Sequence, residues 1–398
     1  MQAALSSISH GKMLPMNGLF VGISKAGMNA LYRMFCATTK RKNMVVFLSR
    51  QATQASYDFS ELAKQVQGHG WEAVMHLAQV RSKNNTAGSN ASGKSGSGMF
   101  SYAFHVVRQL KLLATCRMVV LDRYDPVIGL LSFSDEPCIV QIWHAFGAYK
   151  KFGHQSIDTL EGHKQETIDT FNIHHNYSWV ACSGEDVRAA FSEALNTPIE
   201  RVIVFNRPEY FELVRLRQEL DAQKATGGHS NFNTQSKRVL FAPTLRKSKH
   251  SPHPFRKLYE GAPHIEQAIN GQITWSFHPL EDGLPAPGNA SQLLQDTNLV
   301  VTDYSSIAYE AYLLGKPVIF YIPDYESYEE SPGINADPVK LCPSLCARTE
   351  EELVELVNKT LEDSSQSLAA LEAFAGPAFE GAQDASSDLL LTFLPDSV

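Results

Sequence analysis

Short apolar runs bounded by turn residues recur along the chain with helix-like stretches between them, and this alternation restricts the fold more than any other feature. The runs are MVVFLS at 44–49, WEAVMHL at 71–77, MVVLD at 118–122, CIVQIW at 138–143, WVACS at 179–183 and RVIVF at 201–205. A second series holds RVLFAP at 238–243, ITWSFH at 273–278, NLVVTD at 298–303 and PVIFYI at 317–322. Strands of this kind, spaced by helices, form parallel sheets covered on both faces. The polar stretch DAQKATGGHSNFNTQS at 221–236 separates the series and reads as a linker. The expectation is an α/β protein of two Rossmann-like, doubly wound domains, 1–215 and 216–398. SKNNTAGSNASGKSGSG at 82–98 has too little apolar surface to pack and is expected to be a mobile loop of the first domain. The tail from Glu350 is helical in pattern and is expected to cross back over both domains.

The net charge of −7 gives no global attraction to nucleic acid, so an anionic partner has to be met by a local cluster. Lys25, Arg33, Lys40, Arg41 and Lys42 stand among Met28, Leu31, Tyr32, Met34 and Phe35, a mixture that suits a helix lying on an anionic membrane and equally a solvated helix. Lys237, Arg238, Arg246, Lys247 and Lys249 surround a later strand. The 6 cysteines are scattered without disulfide or zinc spacing, which reads as a reduced, cytosolic protein. No apolar run approaches bilayer-spanning length and no signal core opens the chain, so membrane contact would be peripheral. The signatures GxGxxG after a strand, GxxxxGK[ST], HExxH and GxSxG are absent, which removes nicotinamide, P-loop, zincin and serine-hydrolase chemistry.

Polar candidates gather where the apolar runs end, and open parallel sheets bind ligands at the carboxyl ends of their strands. His144 follows CIVQIW in WHAFGAYKKFG (143–153), where an imidazole of ordinary pKa, about 6.5, can act as a general base. Lys150 and Lys151 in the same loop can meet phosphate or simply be solvated. Thr244 and Arg246 in APTLRK suit phosphate oxygens through a hydroxyl and a charge. His278, held extended by Pro279, can stabilise charge on a leaving phosphate as an imidazolium. In TDYSSIAYEAYLLGKPVIFYIP (302–323), Ser305 or Ser306 caps a helix that Gly315-Lys316-Pro317 stops. The helix start offers free N–H groups and the two hydroxyls to an anion, and Glu310, about one turn on, reaches an attached ribose. Asp122 and Asp125 form a turn pair with only a weak claim on a cation. If two such sheets face each other, His144, Thr244, His278 and Asp303 open into one cleft.

In this order and at these separations, WHAFGAYKKFG, FAPTLRK, FHP and TDYSSIAYEAYLLGKPVIFY resemble the CDP-glycerol glycerophosphotransferase family of teichoic acid synthesis, over roughly residues 30–360. The resemblance implies a GT-B architecture, with an N-terminal acceptor domain facing a C-terminal donor domain across a cleft. It implies transfer of glycerol phosphate from CDP-glycerol to a hydroxyl of a lipid-linked glycan acceptor, with CMP released, no cofactor and no metal demanded. The partners implied are CDP-glycerol or a related CDP-polyol, that acceptor, and the cytoplasmic face of the membrane, with no nucleic acid.

Residue by residue, the resemblance implies His144 as the base and His278 as the stabiliser of the leaving phosphate. It gives Thr244, Arg246, Ser305 and Ser306 to the donor pyrophosphate. Asp303 orients the loop, and Glu310 replaces the family's aspartate at the ribose. There are two departures. Ala145 stands where the family has glycine, which is expected to cost backbone freedom beside the base. FNRPEYF (205–211) stands where GxPRxD is expected, leaving Arg207 as a candidate acceptor or phosphate contact. The alternatives are a CDP-ribitol transferase, a sugar-nucleotide glycosyltransferase of the same architecture, and a binding paralogue without turnover. The short segment ahead of the first run fits a stand-alone transferase.

Overall fold

The computed structural model describes residues 18–50, 53–78, 96–134, 136–225, 237–246, 253–278, 281, 283–286, 290–383 and 388–394, and each apolar run in it is a strand. The first series gives β1 (Met44–Ser49), β2 (Glu72–Leu77), β3 (Met118–Leu121), β4 (Cys138–Gln141), β5 (Trp179–Cys182) and β6 (Val202–Val204). The second gives β7 (Arg238–Phe241), β8 (Gln272–Trp275), β9 (Leu299–Thr302) and β10 (Val318–Tyr321). A further strand, β11 (Cys346–Ala347), is 2 residues long, too short to leave a periodic signal in the sequence.

The strands form two parallel sheets, ordered β2-β1-β3-β4-β5-β6 and β11-β10-β9-β7-β8. Val46 lies opposite Val119 and Val119 opposite Ile139, while Leu240 lies opposite Val300. Central strands β1, β3, β9 and β10 are buried along their whole length and edge strands β2 and β8 are not, as expected where helices cover both faces. Strand order turns back between β1 and β3 and again between β7 and β9, the crevices where doubly wound sheets take ligands.

Three sequence expectations shift. The helix Pro208–Ala225 continues through residue 215, so the first part of the expected linker is helical, while 226–236 lies outside the described residues. The helix Gly96–Thr115 takes in the end of the expected 82–98 loop, because the apolar stretch after it carries helix back into the glycine-serine segment. The remainder of that loop, with Lys247 and Lys249, lies outside the described residues.

The C-terminal tail does cross back. Helices Glu350–Glu362 and Ser365–Ala375 pack on the second sheet, and the turn Gly376–Phe379 follows. The helix Leu389–Phe393 then buries Leu389, Leu390 and Phe393 with Phe47, Phe59 and Phe205 of the first sheet, and Asp388 pairs with His69.

The strand ends of the two sheets meet through the loop after β4. Tyr149 is packed among Tyr304, Phe320 and Phe374 at ring separations of 6.0, 5.8 and 4.9 Å. Lys150 bridges Ile334, and Asn335 donates its N–H to the Tyr149 carbonyl at 2.8 Å. Gly147, at φ +62, lies so close to Tyr309 that a Cβ would sit 2.3 Å from its ring. This chain path requires glycine.

Candidate active site

At the end of β4 the backbone leaves the sheet abruptly: Gln141 is the last strand residue, and Trp143 takes a left-handed φ of 54°. That conformation is rare for a bulky residue. The indole is held by Phe152, stacked at 5.1 Å, and His144 is thereby set at the mouth of the sheet with an exposed ring. Its Nδ1 faces the Asp122 carbonyl at 3.3 Å, in the loop after β3, so Nε2 is the nitrogen left to the open side. Desolvation by the surrounding protein acts on the ring even so. That desolvation, with Arg123, Arg207 and Lys150 nearby, holds His144 well below the usual imidazole range, so it is neutral at neutral pH. Residue 145 has an ordinary φ, and the left-handed positions of the loop are Trp143, Gly147 and Gly153. Ala145 therefore costs no backbone freedom, which corrects the expectation above.

Across the seam, the second sheet presents its switch point. Asp303, after β9, accepts the backbone N–H of Thr244, after β7, at 2.7 Å, and so ties the two strand-end loops together. Arg246 donates from Nη2 to Asp303 Oδ2 at 2.9 Å and Asp324 Oδ2 at 3.0 Å. Its guanidinium lies over Tyr328 at 4.4 Å, and Tyr328 stacks on Tyr304 at 3.7 Å. Arg246 is thus buried and bound to two carboxylates. Burial pushes both Asp303 and Asp324 up from their ordinary values, with Arg246 opposing it. Lys150 crosses from the first sheet, its Nζ donating to Thr244 Oγ1 at 3.3 Å. Lys151 is exposed, and its stem passes over Gly333.

Ser305 and Ser306 stand half-buried at the start of the helix Ile307–Leu313. Ser305 Oγ accepts the Ile307 N–H at 3.4 Å, whereas the Ser306 hydroxyl makes no capping bond. Glu310 is pushed up by burial. Its carboxylate takes a hydrogen bond from Ser291, while Oε2 is buried with no hydrogen-bond partner among the described residues.

His278 ends the stretch after β8 and is exposed; Pro279 lies outside the described residues. The His278 carbonyl accepts the Glu281 N–H at 2.8 Å, and Glu281 Oε1 accepts the Arg246 N–H at 3.2 Å, so His278 and the Arg246 loop are one Glu281 apart.

Arg207 lies beneath the His144 loop, its Nη1 donating to the Trp143 carbonyl at 3.5 Å. It is 5% exposed, between Asp58 at 3.4 Å and Glu209 at 3.0 Å, over the Phe146 ring at 4.0 Å. Pro208 opens the helix Pro208–Ala225, a position that suits proline, so the FNRPEYF order builds a buried ion cluster beneath the His144 loop.

The structure therefore brings together His144, Lys150, Thr244, Arg246 and Asp303, with Ser305, Ser306 and Glu310 on the following helix. Asp324 and Gln141 were missed. Asp324 follows a strand in YIPD, and Gln141 is the one polar residue of CIVQIW; those were the available signals.

The profile of the family described as CDP-Glycerol:Poly(glycerophosphate) glycerophosphotransferase matches residues 30–392. The chain is 25% identical over 350 residues to the teichoic acid poly(ribitol-phosphate) polymerase of Bacillus spizizenii, covering 82% of this chain and 53% of that protein. It is 27% identical over 270 residues to the teichoic acid glycerol-phosphate primase of Staphylococcus aureus, covering 64% and 68%. The chain thus spans about half the length of the first of these relatives. A structure of the wall teichoic acid polymerase TagF superposes with a TM-score of 0.65 at 15% identity, over 92% of this chain and 95% of that one, which shows the shared GT-B-like fold.

Proposed function

The chain belongs to the CDP-glycerol:poly(glycerophosphate) glycerophosphotransferase family, and on that premise we propose that it transfers glycerol phosphate from CDP-glycerol to a hydroxyl of a lipid-linked acceptor, releasing CMP. One observation carries the reading. His144, a solvent-open imidazole held below its ordinary pKa, has Lys150 nearby on the same loop, and Lys150 reaches across to Thr244 at a strand end of the opposite sheet at 3.3 Å.

In this proposal the acceptor hydroxyl loses its proton to His144 Nε2 and attacks the β-phosphorus, and CMP leaves in line. Phosphoryl transfer of this kind needs positioning and charge stabilisation more than covalent chemistry. The Ser305 and Ser306 hydroxyls and Thr244 meet the pyrophosphate, Lys150 supplies positive charge beside Thr244, and His278 stabilises the leaving phosphate. Arg246 acts through Asp303, which fixes the Thr244 amide. The unpartnered Oε2 of Glu310 takes a ribose hydroxyl.

A second reading, transfer from CDP-ribitol, is favoured by the ribitol-phosphate polymerase among the relatives. Incubation with CDP-glycerol, CDP-ribitol and UDP-sugars, with a lipid-linked disaccharide as acceptor, separates the two. Acceptor-dependent CMP release from CDP-glycerol alone is expected; release from CDP-ribitol alone transfers the reading to ribitol, and nucleotide binding with no product from any donor refutes turnover.

A peripheral seat on the membrane is also proposed. Among the described residues no helix is long and apolar enough to cross a membrane. The packed helices Gly18–Thr38 and Gly96–Thr115 expose Ile23, Met34, Phe104 and Val107 beside Lys25 and Arg33, a surface suited to anionic lipid.

A further inference from the structure

Gln141 has no exposed surface, at the end of a central parallel strand where apolar residues are the norm. Every polar atom of its carboxamide is engaged. Oε1 accepts the Trp143 N–H at 2.9 Å, and Nε2 donates to the Arg123 carbonyl at 3.2 Å and to the Tyr177 hydroxyl at 3.3 Å. The orientation of the amide is fixed by these partners, since exchanging its ends would set NH2 against an N–H and oxygen against a carbonyl.

The two backbone groups it holds belong to different strand-end loops. Trp143 is the residue in left-handed backbone immediately before His144, and Arg123 immediately follows Asp122, whose carbonyl faces His144 Nδ1. One side chain therefore ties the loop after β3 to the loop after β4 on either side of the His144–Asp122 contact. Tyr177 is held in turn by His174 Nδ1 at 3.1 Å, so the anchor is continuous with buried structure.

We propose that Gln141 is a positioning residue: it holds Trp143 in its left-handed turn and the Asp122 carbonyl in register with it, and so aims His144 Nε2 at the acceptor hydroxyl. This rests on the reading of His144 as the base. Gln141 touches no substrate in this scheme; it acts through the two loops. A left-handed tryptophan persists only where its surroundings over-determine it: Gln141 Oε1 takes its N–H, Arg207 Nη1 donates to its carbonyl at 3.5 Å, and Phe152 stacks on the indole.

The test uses the full chain and Gln141→Met, which keeps length and removes every hydrogen bond, beside Gln141→Glu, which keeps the acceptor and loses the donor to Arg123. Thr360→Val serves as a stability control, since Thr360 is buried and pairs with Ser367 at 2.9 Å in the C-terminal helices. In Gln141→Met, kcat for CMP release from CDP-glycerol is expected to fall on the order of 10²-fold, the scale of a misplaced reacting group, with KM for the donor little changed.

Histidine NMR titration supplies a readout independent of the donor. The His144 imidazole, released from its desolvated place beside Arg123, Arg207 and Lys150, is expected to titrate at higher pH in Gln141→Met, which adds no charge, and unchanged in Thr360→Val. Gln141 variants that lose thermal stability yet keep the His144 titration and kcat of the wild type overturn the inference. His144→Ala, measured alongside, separates the two levels: turnover in that variant overturns the base reading itself, whereas an inactive His144→Ala beside a fully active Gln141→Met overturns the positioning alone.

Discussion

A histidine that is to accept a proton at neutral pH must already be unprotonated, and the surroundings of His144 ensure it. Desolvation by the surrounding protein and the cations Arg123, Arg207 and Lys150 all disfavour the imidazolium. With His144 as the proposed base, kcat/KM is expected to fall only as pH drops through this depressed pKa. A pH-rate profile should stay flat on its acid side to well below the ordinary imidazole value of about 6.5, and His144→Ala should abolish CMP release. Arg246 is held differently, by two carboxylates. Its side chain is 7% exposed between Asp303 and Asp324, and replacing it with methionine leaves two buried carboxylates without compensation. Arg246→Met is expected to cost about 3–5 kcal/mol in urea unfolding, and Arg246→Lys to recover only part of it, because an ammonium does not reproduce the planar guanidinium laid over the Tyr328 ring at 4.4 Å.

The loop after β4 shows how far an element can be read from its own residues. A glycine requirement was expected at 145, beside the base, whereas the structure puts it at Gly147, where φ is +62 and Tyr309 fills the space a Cβ would need. Gly147→Ala is expected to cost at least 1–3 kcal/mol from backbone strain alone, and Ala145→Gly to stay within about 1 kcal/mol of wild type; differential scanning calorimetry of the two distinguishes them. The strands themselves were legible because MVVFLS, NLVVT and PVIFY are short, rich in β-branched and aromatic residues and bounded by turn or helix signals, as covered parallel strands are. The placement of His144, Thr244 and Asp303 was legible for a topological reason: strands that all run parallel put their carboxyl ends at one edge of each sheet. Which residue caps, which must be glycine and which arginine is buried depend on neighbours such as Tyr309, Asp324 and Asp58, remote in sequence. No local pattern encodes them.

At the scale of the whole molecule, the ion cluster around Arg207 links the two sheets. Glu209 and Asp58 flank it from the first, and Glu310 reaches it from the second. Burial pushes Glu209 up to about 7 from 4.5, with Arg207 opposing and Glu310 reinforcing. Between those values the folded protein holds a proton that the unfolded chain has released, so folding stability rises as pH falls from about 7 toward about 5 and is lost as pH rises through the folded pKa. Buried histidines such as His76 and His174, whose pKa values are pushed down to about 3, act in the opposite sense, so the Glu209 contribution is read by difference: the melting temperature of the wild type minus that of Glu209→Gln is expected to be more positive near pH 5.5 than near pH 8. The tail bears on the chain in another way. Because Leu389, Leu390 and Phe393 complete the core of the first sheet, and Tyr149 belongs among the rings of the second, neither half is a contiguous stretch of sequence. A hybrid made by exchanging halves with a relative at one junction in the linker would give each parent core a foreign piece. Such an exchange needs a second crossover before residue 388, and residues 143–153 have to travel with the partner segment around Ile334 that they bridge.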